Sequence, residues 1–220
     1  MNIQLRLQYT SKKIQQLLSS ASEYFTRLSL DDTMHTIRVY NVAIEIGKSE
    51  GANLDILALG ALLHDIGKIQ RDSTKGHASA GVPISERILK KIDCTDDESS
   101  IIIDCVAKHQ IKNPESESNN LEVQIIQDAD LIDELGAIGI IKCVSFHTKR
   151  SDPICLENSF SRVSLDMPEM LKKSVSIVDH FYDKLLILDR KMNTIAGRNI
   201  AQERIEHMKG FLKHLKGECQ

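Results

Sequence analysis

LDILALGALLHDIGK, residues 54–68, decides how this chain is read. Asn53 stands before it as a helix N-cap, and Leu54, Leu57, Ala58, Ala61 and Asp65 recur at helical spacing on one face. His64 lies about a third of a turn from that face. Gly67 is expected to end the helix in a left-handed conformation. A carboxylate is thus expected on the buried face of a strongly apolar helix, with an imidazole beside it. Groups of that kind inside a fold must be hydrogen-bonded, paired or metal-bound, because an unpartnered buried polar group is costly.

The flanking sequence repeats the helical pattern and shows no convincing strand alternation. Upstream, residues 2–28 suggest a structural helix with a break near Ser19-Ser20. A second helix begins near Asp31 and Asp32, runs to Lys48 with His35, Val39, Val42 and Ile46 on its stripe, and turns at Gly51. Downstream, a helix opens near His77 with Gly81, Ile84 and Ile88 on one side, and Pro83 inside it implies a kink or a later start. Thr95 and Glu98 form a capping-box pattern ahead of a helix that aligns Ile102, Cys105, Val106 and His109. KNPESESNN, residues 112–120, is the clearest loop. From Leu121 another helix aligns Val123, Ile126, Asp130 and Ala137. After Phe146 the pattern lapses into HTKRSDPICLENSFSRVSLD, a long polar segment of the sort that often forms lids. Two helices, about 168–190 and 195–216, close the chain. The fold class is therefore all-α, read as one domain over 1–220, with a core of about 31–142 and a C-terminal helical part of about 165–217.

Composition narrows the function classes. The chain has 220 residues, a hydrophobic fraction of 41%, a charged fraction of 27% and a formal net charge of -3. It shows neither a basic footprint for a stable nucleic-acid complex nor a polybasic membrane patch. The five cysteines, Cys94, Cys105, Cys143, Cys155 and Cys219, are odd in number and form no C-x-x-C pair. They read as free thiols in a reducing compartment. With neither a signal peptide nor a bilayer-length apolar run, a cytoplasmic location is expected. A homo-oligomer is compatible with the sequence.

The chemistry lies in the combination. His35, Asp65 and Asp130 fall on the apolar stripes of different helices, with His64 beside Asp65, and helices of a bundle converge at those stripes. Two imidazoles and two carboxylates suit a divalent transition metal, Mn, Fe, Co, Ni or Zn. Taken singly, each residue has a blander explanation. His-Asp pairs arise by chance, His35 suits a helix start, Asp130 a solvated face, and His77 and His109 the edge of a core.

The runs HTIRVYNVAIEI (35–46), ALLHDIGK (61–68), GHASAGVPISERIL (76–89), VAKHQ (106–110) and IIQDADLIDELGAIGI (125–140) resemble the HD-domain metal-dependent phosphohydrolases. They are most similar to a bacterial and archaeal subfamily with a long QDAD-L-D-x-LGAIGI element. The tail HFYDKLLILDRKMNTIAGRNIAQERIEHMKGFL (180–212) is similar too, so the resemblance extends over nearly all the chain from Asp31. It implies an HD helical bundle with additional C-terminal helices, and His35, His64, Asp65 and Asp130 as metal ligands. It places Lys68 where a lysine often contacts phosphate, and implies hydrolysis of phosphate esters or anhydrides, with nucleoside triphosphates as plausible substrates. Leu131 and Lys142 stand where the subfamily often has arginine, and a lysine keeps the charge but loses the bidentate fork.

Metal-activated water is then the expected nucleophile, with Asp65 as ligand and proton acceptor. Lys68 and Arg38 are expected to bind substrate. His77 and His109 are expected to assist catalysis beside a single metal, by hydrogen-bonding to water or phosphate. Lys149, Arg150 and Arg162, in the long polar segment, are read as solvated. Two other functions fit the residues: a di-iron HD-fold oxygenase, in which His77 and His109 hold a second iron, and a non-catalytic nucleotide-sensing module.

Overall fold

The computed structural model describes residues 7–70, 76–110, 117–161 and 174–219, and these form two compact units, Met1–Asp130 and Leu131–Gln220. Among the described residues the regular structure is helical throughout.

The first unit contains α1 (Lys12–Ser20), α2 (Ser22–Phe25), α3 (Leu30–Glu50), α4 (Leu54–Leu63), α5 (His77–Leu89) and α6 (Asp96–Lys108). It closes with α7 (Leu121–Ile132), whose last turn carries the division between units. The capping residues explain most of these boundaries. Ser29 accepts from Asp32 N to start α3, and Gly51, at φ 74°, ends it. Asn53 accepts from the backbone of Asp55 and Ile56, and Thr95 and Glu98 form the expected capping box. The break in the N-terminal helix falls at Ala21, next to the expected Ser19-Ser20.

α4 is the centre of this unit. Every residue from Ile56 to Leu63 is buried, because α4 packs against α1, α3 and α6. An apolar surface on all sides suits a helix enclosed on all sides. Gly60 lets α6 approach, since a Cβ there would lie 3.0 Å from that of Cys105.

α4 ends at Leu63, earlier than the pattern suggests, and a 3-10 turn covers Ile66–Ile69. Asp65 therefore lies in the link between them, not on a helical stripe. Gly67 is not left-handed; the glycines with positive φ are Gly51, Gly76 and Gly136. Its role is close approach: a Cβ on Gly67 would stand 1.9 Å from the His77 carbonyl oxygen and 2.6 Å from Gly81 N. Pro83 does not delay α5, which starts at His77 and continues through it.

The second unit holds α8 (Gly136–Thr148), α9 (Ile177–Asp183) and α10 (Ile195–Cys219), with 3-10 turns at Ser159–Ser161 and Leu185–Lys191. α10 packs against α8 and the second 3-10 turn, burying Ala201, Ile205, Met208 and Leu212. The expected continuation of the Leu121 helix to Ala137 is interrupted: Gly136, at φ 70°, starts a new helix after Leu135. The final helices also differ from expectation, because α9 is short and gives way to the 3-10 turn. The expected start near 168, Arg162, and parts of the loops around 71–75 and 111–116 lie outside the described residues. All five cysteines are free thiols. No helix among the described residues is long and apolar enough to cross a membrane.

Two glycines in helical settings should respond oppositely to alanine. Gly67→Ala should lower the thermal midpoint, since its methyl meets backbone and overpacking costs about 1–3 kcal/mol. Gly210→Ala, with nothing within 4 Å of the added carbon, should raise stability by about 0.5–1 kcal/mol. Thermal unfolding of both variants checks the pair.

Candidate metal centre

Asp65 is the focus of the site, with a side chain only 3% exposed. Its Oδ2 lies 3.3 Å from His35 Nε2 and 3.5 Å from His64 Nε2. Its Oδ1 lies 3.1 Å from His77 Nε2 and 3.6 Å from His109 Nε2. Asp130 completes the cluster, with Oδ1 3.2 Å from His35 Nε2. Separate segments supply these groups. His35 comes from α3, His64 and Asp65 from the link after α4, His77 from the first residue of α5, His109 from the cap of α6, and Asp130 from α7.

Two of the rings are oriented by the same local device. His64 Nδ1 lies 2.7 Å from the carbonyl of Ala61, and His109 Nδ1 lies 2.9 Å from that of Val106. In each case the ring follows a helix C-terminus, where carbonyls lack intrahelical partners. An Nδ1–H donated there leaves the Nε2 lone pair facing the cluster, the arrangement that second-shell acceptors impose on metal-binding histidines.

The electrostatics follow from burial. Burial alone would raise the Asp65 pKa. Electrostatic attraction to His64 and hydrogen bonds with His35, His64 and His77 outweigh it and hold the carboxyl well below its usual range. Asp130 behaves likewise: burial opposes ionisation, while the bond from His35 and the nearby imidazoles favour it. Burial, reinforced by the neighbouring His64, pushes His109 down to about 4. Its ring is neutral at pH 7, which suits a ligand or acceptor better than a standing acid.

These groups fit a metal. His35, His64 and Asp130 offer ligand atoms within 4.8 Å of one another, and so do Asp65, His77 and His109. Ligand atoms bonded at 2.0–2.2 Å to one ion sit roughly 3–3.5 Å apart. The observed separations are thus close to those that a bound ion requires. His77 and His109 lie closer than the sequence indicated, with Nε2 atoms 3.2 Å apart.

Lys68 projects back over the cluster from the 3-10 turn. Its Nζ lies 2.5 Å from Asp65 Oδ2 and 3.4 Å from Asp32 Oδ1. Burial works against its charge, but the Asp65 and Asp32 carboxylates raise its pKa. Asp32 is thus more than a helix-start residue. Arg38, three residues beyond His35 on α3, is half-buried. Gln110 was missed in the sequence, although VAKHQ contains it; its side-chain nitrogen lies 2.8 Å from His77 Nε2. A second omission lies in the second unit. His147, read as part of a polar segment, is buried on α8 and meets His180 and Asp152. Lys142 is held by Asp133, at 2.9 Å.

Residues 33–135 match the HD domain family model. The Bacillus subtilis protein YpgQ is 26% identical over 190 residues, covering 84% of this chain and 82% of YpgQ. Ribonuclease Y of Treponema denticola is 35% identical over 99 residues, which cover 44% of this chain and only 17% of that protein. The crystal structure of YpgQ in complex with ADP superposes with a TM-score of 0.71 at 24% identity, covering 94% of this chain and 97% of that one. A structure described as an HD-superfamily hydrolase from Bacillus thuringiensis gives a TM-score of 0.70 at 24% identity, covering 94% and 96%. At these identities the structural likeness is one of fold. The match to residues 33–135 takes in all the converging histidines and aspartates, so the candidate metal centre lies within a stretch similar to the HD domain.

Proposed function

We propose that this chain hydrolyses a phosphate ester or anhydride of a nucleotide, with a divalent transition metal held by His35, His64, Asp65 and Asp130. The observation that carries the reading is the Asp65 carboxylate, with imidazole nitrogens facing both of its oxygens at 3.1–3.6 Å. A nucleotide is favoured because YpgQ, which shares the fold, has been crystallised with ADP.

A metal in this donor set supplies Lewis acidity toward a phosphoryl oxygen and makes water acidic enough to attack at neutral pH. The protein's residues supply the remainder. Asp65 anchors the site, and its ionised carboxylate orients the attacking water. Lys68, beside Asp65, neutralises charge on the substrate, since phosphoryl transfer depends mainly on positioning and electrostatics. Arg38 extends that positive edge from α3. His77 and His109 act on the Oδ1 side of Asp65, where His109 accepts from water and His77 meets water or a phosphate oxygen. Gln110 orients His77.

A second reading has its own support. Asp65, His77 and His109 form a ligand set by themselves, with Asp65 shared between the two groups of donors. A second ion there would make the centre dinuclear, and the bridging carboxylate would hold the pair. Hydrolysis by two metals and oxidation by two irons would then differ in the dependence of turnover on oxygen.

Three experiments follow. Metal content of the purified protein should fall by at least one ion per chain in the double variant H64A/D65A; unchanged content would exclude the first ligand set. In the metal-loaded protein, Lys68→Ala should lower turnover while leaving the thermal midpoint nearly unchanged; a large loss of stability with normal turnover would assign Lys68 to the fold. With one metal in the first unit, His77→Ala and His109→Ala should keep near-normal metal content and lose activity against nucleotides and generic phosphodiesters. Loss of one first-unit metal in each variant, with the other first-unit ion retained, would establish the dinuclear form, and product identification in the same assays tests nucleotide hydrolysis.

A further inference from the structure

The second unit contains another set of metal-type donors. Cys143 and His147 lie four residues apart on α8, so they share one face, and His180 on α9 meets them. The three offer Sγ and ring nitrogens within 4.8 Å of one another. Cys143 and His147 are buried, and His180 is half-exposed. None is used in the reading of the first unit.

The histidine orientation argues for more than chance packing. His147 Nδ1 lies 2.8 Å from Asp152 Oδ2, and its other nitrogen, Nε2, lies 2.8 Å from His180 Nδ1. The aspartate favours a proton on Nδ1 and leaves the Nε2 lone pair toward His180. This carboxylate–histidine pairing orients zinc ligands in many proteins. Asp152 is itself held, by Arg150 Nε at 2.7 Å. The adjoining segment is tied to the start of α9 by bonds from Ile177 N to Pro153 O and from Val178 N to Ile154 O, both 3.0 Å. Cys143 Sγ has only a weak partner, the Ile177 carbonyl at 4.0 Å. A cavity of about 340 Å³ opens on Cys143 and His180, lined also by Glu134, Lys142, Phe146 and Lys184. His147 lies behind them.

We propose that Cys143, His147 and His180 bind a borderline-soft divalent cation of the zinc type, with the fourth position open to the cavity. One thiolate and two imidazoles match the ligands that zinc prefers, at Zn–S about 2.3 Å and Zn–N about 2.0–2.1 Å. Shifts of about 1 Å would bring donors now within 4.8 Å to those bond lengths. Binding displaces the thiol proton of Cys143 and joins α8 to α9. The open position, faced by Lys142 and Lys184, takes water or a small anion.

Cobalt(II), added alone to the metal-free full chain, tests this, because a Co–thiolate bond gives near-ultraviolet charge-transfer absorption that the sulfur-free first-unit donors cannot. The band should appear in the wild type, be displaced by zinc, and persist in H64A/D65A and in C155S/C219S. It should vanish in Cys143→Ala, with helical circular dichroism checking that this variant is folded. Asp152→Asn should weaken Co(II) binding about tenfold, the loss typical of a removed orienting partner. His180→Ala should weaken it at least as much, with helical circular dichroism again checking the fold. Absence of the band in the wild type, its persistence in Cys143→Ala, or unchanged affinity in His180→Ala would overturn the assignment. First-unit metal content and turnover are measured in Cys143→Ala, which lacks the thiolate of this site, so either site can fail without the other.

Discussion

The Asp65 carboxylate is the constraint on which the first unit depends. A buried carboxylate without partners would destabilise the fold, and removing one partner of a buried ion pair costs about 3–5 kcal/mol. Asp65 avoids this by gathering His35, His64, His77, His109 and Lys68 around its two oxygens. Each partner arrives on a different segment or in a different turn, so the helices that carry them must be positioned together. The same crowding makes the centre suited to a metal, which can replace protons as the positive partner.

Helix ends provide that precision. His64 and His109 each follow the last turn of a helix and bind a carbonyl three residues back. The backbone thus selects the tautomer and aims Nε2 inward. His77 achieves its position differently, as the first residue of α5 after the left-handed Gly76. Gly67 and Gly81 remove the side chains that would hold the start of α5 away from the Asp65 turn. Gln127 ties the end of α6 to α7, its side chain bonding the Lys108 carbonyl at 2.7 Å, next to His109. The apolar enclosure of α4 gives these ends a rigid base.

Two histidine clusters in one chain illustrate how context assigns a role to the same side chain. Around Asp65 the imidazoles surround a carboxylate, a donor set rich in nitrogen and oxygen that tolerates many divalent metals. At Cys143 the carboxylate of Asp152 stands behind the ring and sulfur stands in front. That order narrows the choice toward zinc-like ions.

Much of the fold was legible in the sequence because helices announce themselves locally. Apolar spacing, Asn53, the Thr95–Glu98 box and Gly51 located the helices of the first unit, and the separate motifs named His35, His64, Asp65 and Asp130 together. What local pattern could not reveal was where periodicity stops being helix. Asp65 keeps helical spacing with Leu57, Ala58 and Ala61, yet lies beyond α4 because His64 turns its ring to the Ala61 carbonyl. Gly67 looked like a left-handed stop, but its constraint is the His77 backbone, far from it in sequence. Gln110, Asp32 and His147 carry no local signal, since their meaning comes from partners 33, 36 and 33 residues away. Sequence determined the helices and the kinds of donor available; packing decided which lone pairs meet, because convergence is a property of several segments at once.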